Sequence, residues 1–249
     1  MTHLLFVRML RAPRSAPPRL LLLAALSLSF GCYGDVVRGS GRPAREAREV
    51  PPFEGVEVGG GIHVTVTTGP RKAVEIEADD NVLPLVETRV EDGKLKIHFK
   101  RHNLWNSGDV NVTVQQPRFS SLDASGGSSI DALLAPTPDL SLETSGGAVI
   151  VARGLEVGRL AASASGGARL ELAGVADQVR LEFSGGARLK GAKLRARVVQ
   201  VDGSGGCSGE IEASERVRGH LSGGCDLHVI GKASSRVATS GGSSVEWDD

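Results

Sequence analysis

The stretch SGGAVIVARGLEVGRLAASASGGARLEL, residues 145–172, contains the pattern that decides the fold. It begins with the tripeptide Ser-Gly-Gly and reaches the same tripeptide again 20 residues later. The tripeptide occurs seven times in the chain, beginning at Ser125, Ser145, Ser165, Ser184, Ser204, Ser222 and Ser240. A regular spacing of 18 to 20 residues indicates one structural unit that is repeated along the chain.

Apolar and polar residues alternate on both sides of each tripeptide. After the third tripeptide, for example, Ala168, Leu170 and Leu172 alternate with Arg169 and Glu171. A period of two is typical of a strand with one buried face, so one strand leads into each tripeptide and another leaves it. The paired glycines then mark a bend that needs a positive φ or the absence of a side chain.

A second corner is expected later in most repeats, near Gly154, Gly174, Gly191 and Gly231. Units of about 20 residues with two or three short strands, stacked in parallel, predict an all-β fold of the β-helix or β-solenoid type over residues 119–249. The alternative is a disordered Gly/Ser-rich linker. The in-register alternation of apolar residues argues against it, because disordered segments lack such a pattern.

Residues 1–32 have the features of a lipoprotein-type signal peptide. Four arginines form a basic start, and Leu20 to Phe30 is an apolar run of 11 residues. Such a run is short for a membrane span and typical of a signal peptide. Met9 offers an alternative start to the long basic segment.

The apolar run ends in Leu28-Ser-Phe-Gly-Cys32, which resembles the motif that precedes a lipidated cysteine in bacterial lipoproteins. The sequence therefore predicts lipidation of Cys32 and export to the cell envelope, with the outer membrane as the favoured destination. Ordinary signal cleavage and an uncleaved apolar helix are the alternatives.

Two segments separate the signal peptide from the repeats. Residues 33–52 are charged and contain prolines and glycines, which predicts a tether. Residues 53–118 contain less regular strands, including a hairpin with its turn at Asp92-Gly93, and are assigned as a β cap with the first turns of the fold. At the other end, Trp247 occupies an inward position and could cover the last layer or contact a ligand.

The segment Phe53-Glu-Gly-Val-Glu-Val58, the strand from Ile62 to Gly69 and the following Ser-Gly-Gly repeats together resemble the head GIN domain family. Members are described as auto-transporter adhesins and are often bacterial lipoproteins. The resemblance covers about residues 53–247. It implies a right-handed β-helix and a location in the cell envelope, and it carries no catalytic residues with it.

Cys207 and Cys225 each directly follow a tripeptide, so they should occupy one column in adjacent coils. Neighbouring strands lie about 4.8 Å apart and disulfides need Cα separations of about 4.4–6.8 Å, so a disulfide is geometrically allowed. Export would permit its formation. Two free buried thiols, or a metal-binding pair, are the alternatives.

An outward column should alternate in charge through the later coils: Glu171, Lys190, Glu210, His228 and Glu246. We interpret it as a device that fixes the register, since a slipped stack would bring like charges together. A metal site at His228, with the adjacent glutamates and Asp226, is the alternative. No cofactor is predicted.

The seven serines form another column. We interpret it as support for the corner, and the alternative is a polar strip that binds the hydroxyl groups of a sugar.

Balanced charge, 29 basic against 29 acidic residues, argues against a nucleic-acid partner. We therefore expect a non-enzymatic envelope module that binds a surface polysaccharide or an envelope protein, with the membrane contacted through the lipid anchor only. A passive structural protein and a polysaccharide lyase or hydrolase are the alternatives. Short side loops of five to seven residues should leave little to wall a catalytic groove.

Overall fold

The computed structural model describes residues 37–100 and 108–248, which form a nearly all-β solenoid of about 6 turns with rungs about 20 residues apart. Within these residues there is no α-helix, and the only helical segment is a short 3-10 helix at Leu83–Leu85. The predicted all-β solenoid is thereby confirmed, and its right-handed sense stays a prediction. Residues 1–36, which include the predicted signal peptide and Cys32, lie outside the described residues.

The described residues form seventeen strands of the solenoid and its N-terminal cap. They are β1 (Pro43–Arg48), β2 (Gly55–Val58), β3 (His63–Thr68), β4 (Val74–Asp79), β5 (Val86–Glu91), β6 (Lys94–Phe99), β7 (Asn111–Gln116), β8 (Ser121–Ala124), β9 (Ser129–Leu133), β10 (Thr137–Thr144), β11 (Val149–Ala164), β12 (Arg169–Gly185), β13 (Arg188–Gly205), β14 (Ser208–Gly223), β15 (Asp226–Ile230), β16 (Ser234–Thr239) and β17 (Ser244–Asp248).

Each coil has two main faces that meet at the Ser-Gly-Gly corner. Face A consists of the segments that lead into the tripeptides, and face B of the segments that leave them. Strands β11 to β14 contribute to both faces, because each continues through the second corner. The parallel register shifts at that corner, for example between Ala152 and Leu155, where the sequence predicts the bend.

The core consists of apolar columns that run along the solenoid. On face A, Leu142 is the register partner of Leu122 in one neighbouring coil and of Ala162 in the other. The column continues through Leu181 to Val201, and all five side chains are buried. Because equivalent residues stack directly, every coil buries its inward side chains against those of its neighbours.

The Ser-Gly-Gly corner keeps the hydrogen-bonded ladder intact through the bend. The Gly147 amide donates to the Gly126 carbonyl at 2.8 Å, and the Gly167 amide donates to Gly146 at 2.7 Å. The first glycine of every tripeptide has a φ between 65° and 89°. Left-handed backbone is costly for residues with a side chain, so the predicted need for glycine is confirmed.

The N-terminal end is closed by antiparallel strands. Strand β1 pairs with β4, β4 pairs with β7, and β5 pairs with β6 as the predicted hairpin. Arg48 connects β1 to the hairpin region through hydrogen bonds to the carbonyls of Val86 (2.7 Å) and Leu83 (3.2 Å). These antiparallel strands carry many charged residues, and they cover the first coils of the parallel stack.

The predicted tether over residues 33–52 is therefore wrong for Pro43–Arg48, which belongs to the cap. In this strand neither face is consistently apolar: Ala44 is paired with Ala78, whereas Glu46, two residues later, is paired with Ile76. The backbone ladder and ion pairs such as Arg45–Glu77, at 2.8 Å, hold the strand in place. Such bonds have no apolar signature that a sequence pattern could reveal.

Candidate binding surfaces

The outward charge column on face B has the predicted register. Glu171, Lys190 and Glu210 are successive partners, followed by His228 and Glu246. Lys190 Nζ lies 2.9 Å from Glu171 Oε1, with both side chains solvent-accessible. Exposed ion pairs of this kind contribute about 0–1 kcal/mol each, which suits a role in fixing register more than in overall stability.

His228 is directed toward the last strand. Its Nε2 lies 2.8 Å from Asp248 Oδ2, so the closest carboxylate is neither of the two glutamates in its column. Among the described residues no three His, Cys, Asp or Glu side chains are arranged to hold a metal ion. The geometry gives the metal hypothesis at His228 no support.

Cys207 and Cys225 lie in one column, as predicted. Their following residues, Ser208 and Asp226, are register partners, and the two Cα atoms are 4.5 Å apart. The sulfur atoms are in bonding contact, and both residues are buried. Gly203 lies beside them, and a Cβ atom there would lie 3.1 Å from each sulfur. The separation falls within the range that disulfides need, so a bridge stays our prediction.

Two of the seven corner serines donate a side-chain hydrogen bond to the backbone of the neighbouring coil. Ser222 Oγ donates to the Gly203 carbonyl at 3.3 Å, and Ser125 Oγ donates to the Val58 carbonyl at 3.4 Å. His220 lies two residues before Ser222, yet it makes no hydrogen bond to a serine within the described part of the chain. These contacts support the interpretation of the serine column as part of the corner.

Lys94 and Asp123 form an ion pair that the sequence pattern did not predict. Lys94 Nζ donates to Asp123 Oδ2 at 2.6 Å. The lysine crosses Gly55 of the intervening strand, where an added Cβ atom would lie 2.7 Å from Lys94 Cγ. The hydrogen bond to Asp123 raises the pKa of Lys94, against the smaller opposing effect of burial. The pair fastens the N-terminal hairpin to the first repeat.

A groove of about 720 Å³ runs along the solenoid at the second corner and crosses five successive coils. We call it the side groove. Its lining includes Pro136 and Pro138 at one end and Ser214 and Glu215 at the other. Five strands at a spacing of about 4.8 Å give it a length of about 19 Å. The short side loops were expected to leave little to wall a groove, but the stepped corners of successive coils supply its walls.

The side groove is lined by charged side chains, and only some of them form ion pairs. Its ionic side chains are four carboxylates and two guanidinium groups: Glu156, Asp177, Glu212, Glu215, Arg195 and Arg197. Arg197 lies 2.9 Å from Glu215 and 4.0 Å from Asp177. Arg195 makes no ion pair within residues 37–100 and 108–248, and its register partners are Val175 and Glu212.

Arg195 and Val175 give the middle of the groove two unused binding groups. Val175 is 37% exposed, which leaves an apolar patch beside the Arg195 guanidinium, whose five N–H groups are all donors. The sequence contained only a weak signal for this site, namely the small residues and prolines at the second corner of consecutive repeats.

The described residues contain no helix with the length and apolar character of a membrane span. No curated protein matches the chain. Several solved structures share its fold. A crystal structure from Bacteroides fragilis, described as a "putative adhesin", is 18% identical, with a TM-score of 0.80 over 85% of this chain and 99% of that chain.

Two further crystal structures come from Parabacteroides. A "putative adhesin" from P. merdae is 19% identical, with a TM-score of 0.69 over 87% of this chain and 100% of that one. A "putative lipid binding protein" from P. distasonis is 15% identical, with a TM-score of 0.72 over 86% and 99%. At these identities the likeness shows the fold alone. The family model described as "Putative auto-transporter adhesin, head GIN domain" matches residues 52–233, and the chain belongs to this family.

Proposed function

We propose that the protein is a non-enzymatic, adhesin-like module of the cell envelope that holds a surface polysaccharide or an envelope protein along its side groove. The observation that carries the proposal is the continuity of the groove across five coils. A length of about 19 Å would accommodate roughly six residues of an extended peptide, or an oligosaccharide of similar length. Family membership and the fold shared with described adhesins support the binding role.

The charges of the groove restrict the ligand. Four carboxylates against two guanidinium groups leave an acidic excess, which disfavours strongly anionic polymers. Arg195 can donate to hydroxyl or carbonyl oxygens, while Val175 can contact an apolar face of the ligand. Neutral glycans and basic or neutral peptide segments match these groups best.

Glycan-array binding by the purified protein tests the proposal, with Arg195→Ala as the informative variant. Loss of a hydrogen bond to a charged group should weaken binding by about tenfold or more. Arg188→Ala is the matched control, because Arg188 is exposed on face B away from the groove. Equal binding by the two variants would exclude the groove as the site. If neither glycans nor envelope proteins bind, a passive structural role is favoured, whereas release of unsaturated or shortened sugars would indicate a lyase or hydrolase.

We further propose that the protein is exported and anchored in the outer membrane through a lipid on Cys32. The basic start, the apolar run and the motif ending at Cys32 support this location. Cys32→Ala should abolish labelling by a radioactive fatty acid and release the protein from the membrane fraction. Cys207→Ser is the matched control and should keep the label. Labelling that persists in Cys32→Ala would contradict the proposal.

A further inference from the structure

The C-terminal coil, formed by β16, the tripeptide at Ser240 and β17, is paired on one side only. Strand β16 pairs with β14 and β17 pairs with β15, and no other partner exists for either strand within the described residues. Inward side chains of this last coil are partly exposed, whereas those at equivalent positions in the preceding coil are buried. Trp247 is 36% exposed, whereas its register partner Val229 is fully buried. The coil therefore presents unpaired backbone groups together with partly exposed apolar side chains.

Strands β16 and β17 are arranged so that a two-fold axis can pair one with the other. Strand β16 runs into the corner at Gly241, and β17 runs out of it. If a two-fold axis passes through this corner, β16 of one copy lies beside β17 of the other copy. The two strands are then antiparallel. Under this symmetry, residues whose numbers sum to 482 lie opposite each other. Each copy contributes both strands, which gives a closed, isologous contact.

The side chains match in this register. The inward residues Val237 and Val245 lie opposite each other, and both pack against the core of their own copy. Trp247 lies opposite Ser235, a small residue that leaves space for the ring. Inward positions thus meet inward positions along the whole contact, which a shift of one residue would destroy.

The charges match as well. Arg236, on the outward side of β16, lies opposite Glu246 of β17 in the second copy, and no ion pair involves Arg236 within the described residues. The other two-fold arrangement, which pairs β17 with β17, would instead align Glu246 and Asp248 of both copies along one edge. Like charges in that position oppose pairing.

From this self-complementarity we propose that the protein associates with a second copy of itself, end to end, through the C-terminal coil. The sheets of the two copies then continue into each other, and the open inward face of each coil is covered by the other. The side groove is lined by residues 136–215 and stays free. A dimer would therefore carry two grooves, which raises avidity for a polymeric ligand.

The proposal is tested by exchanging the charges of Arg236 and Glu246. The dissociation constant of the dimer is measured by sedimentation equilibrium and light scattering of the purified protein. The unchanged protein should be dimeric at about 0.1 mM. Arg236→Glu and Glu246→Arg should each raise the dissociation constant at least about tenfold, because each places like charges opposite each other. The double variant R236E/E246R restores opposite charges and should return the dissociation constant to within about threefold of the original.

Arg188→Glu reverses another exposed charge, on face B, and serves as the control, with no change in dimerisation expected. Circular dichroism and the melting temperature establish that all four variants are folded. A protein that is monomeric at about 0.1 mM overturns the proposal. So does a double variant that remains as monomeric as the single ones, because a dimer formed through another surface or register would not be rescued.

Discussion

Cys207 and Cys225 occupy equivalent positions in adjacent coils, with Cα atoms 4.5 Å apart and side chains in bonding contact beneath Gly203. A disulfide here would close an interval of 18 residues. In the chain-entropy model such a loop contributes about 3 kcal/mol by restricting the unfolded chain.

We predict that mass spectrometry of the unreduced protein will find Cys207 and Cys225 without free thiols. Adding a reductant should lower the free energy of unfolding by about 3 kcal/mol. The variant with both cysteines changed to serine should be less stable than the oxidised protein and insensitive to reductant. Two titratable thiols in the folded, unreduced protein would show that the pair is simply buried.

The two glycines of one Ser-Gly-Gly tripeptide should differ sharply in their tolerance of alanine. Gly205 has a φ of 89°, and a Cβ atom there would lie 2.9 Å from the backbone nitrogen and oxygen of Gly185. At Gly206 the nearest atom to such a Cβ, the Gly185 oxygen, is 4.0 Å away.

Gly205→Ala should therefore lower the free energy of unfolding by at least about 1–2 kcal/mol, the cost of left-handed backbone for a residue with a side chain. Gly206→Ala should leave it unchanged or raise it by up to about 1 kcal/mol, because alanine restricts the unfolded chain. Chemical denaturation of both variants measures the difference. Equal losses would mean that the corner needs two glycines for a reason other than backbone conformation.

The repeat pattern predicted the features of the fold that recur in every coil. The column from Leu122 to Val201 and the charge column from Glu171 to Glu246 follow directly from the spacing, because parallel stacking converts sequence period into position in space. The strand at Pro43–Arg48 was missed because it is held by backbone pairing and ion pairs, which leave no apolar alternation.

The groups that carry function were harder to predict than the fold. The side groove arises where the register shifts at the second corner, and the size of that shift differs from coil to coil. Lys94 and Asp123 are 29 residues apart and lie in segments of different character, so no periodic pattern connects them. Interactions that occur once in the chain are invisible to an argument based on repetition.

Inward and outward leucines of the repeats should differ in their contribution to stability. Leu142 is fully buried between two neighbouring coils, whereas Leu133 is 60% exposed. Leu142→Ala should lower the free energy of unfolding by about 2–5 kcal/mol, since the cavity is enclosed by stacked backbones that cannot collapse easily. Leu133→Ala should change it by no more than about 0.5 kcal/mol. Denaturant titration of both variants provides the comparison, and a large loss in Leu133→Ala would contradict the assignment of faces.

The ion pair between Lys94 and Asp123 should make stability depend on alkaline pH. Its hydrogen bond to Asp123 raises the pKa of Lys94 in the folded protein above the unfolded value of about 10.4. The contribution of the pair is therefore fully present below about pH 10.4 and is lost as the pH rises through the folded-state pKa. The magnitude is limited to about 1 kcal/mol, because the Lys94 side chain is 37% exposed and solvent screens the charge.

Lys94→Met retains an unbranched apolar stem but removes the charge, so the free energy of unfolding should fall by up to about 1 kcal/mol near neutral pH. The difference between the two proteins should shrink toward zero as the pH rises through the folded-state pKa of Lys94, because the lysine of the unchanged protein then loses its proton. Lys72→Met is the control, because Lys72 is exposed and makes no ion pair in the described residues. Denaturation across this pH range tests whether the charge is responsible: a difference that stays constant with pH would show that the charge of Lys94 does not cause it.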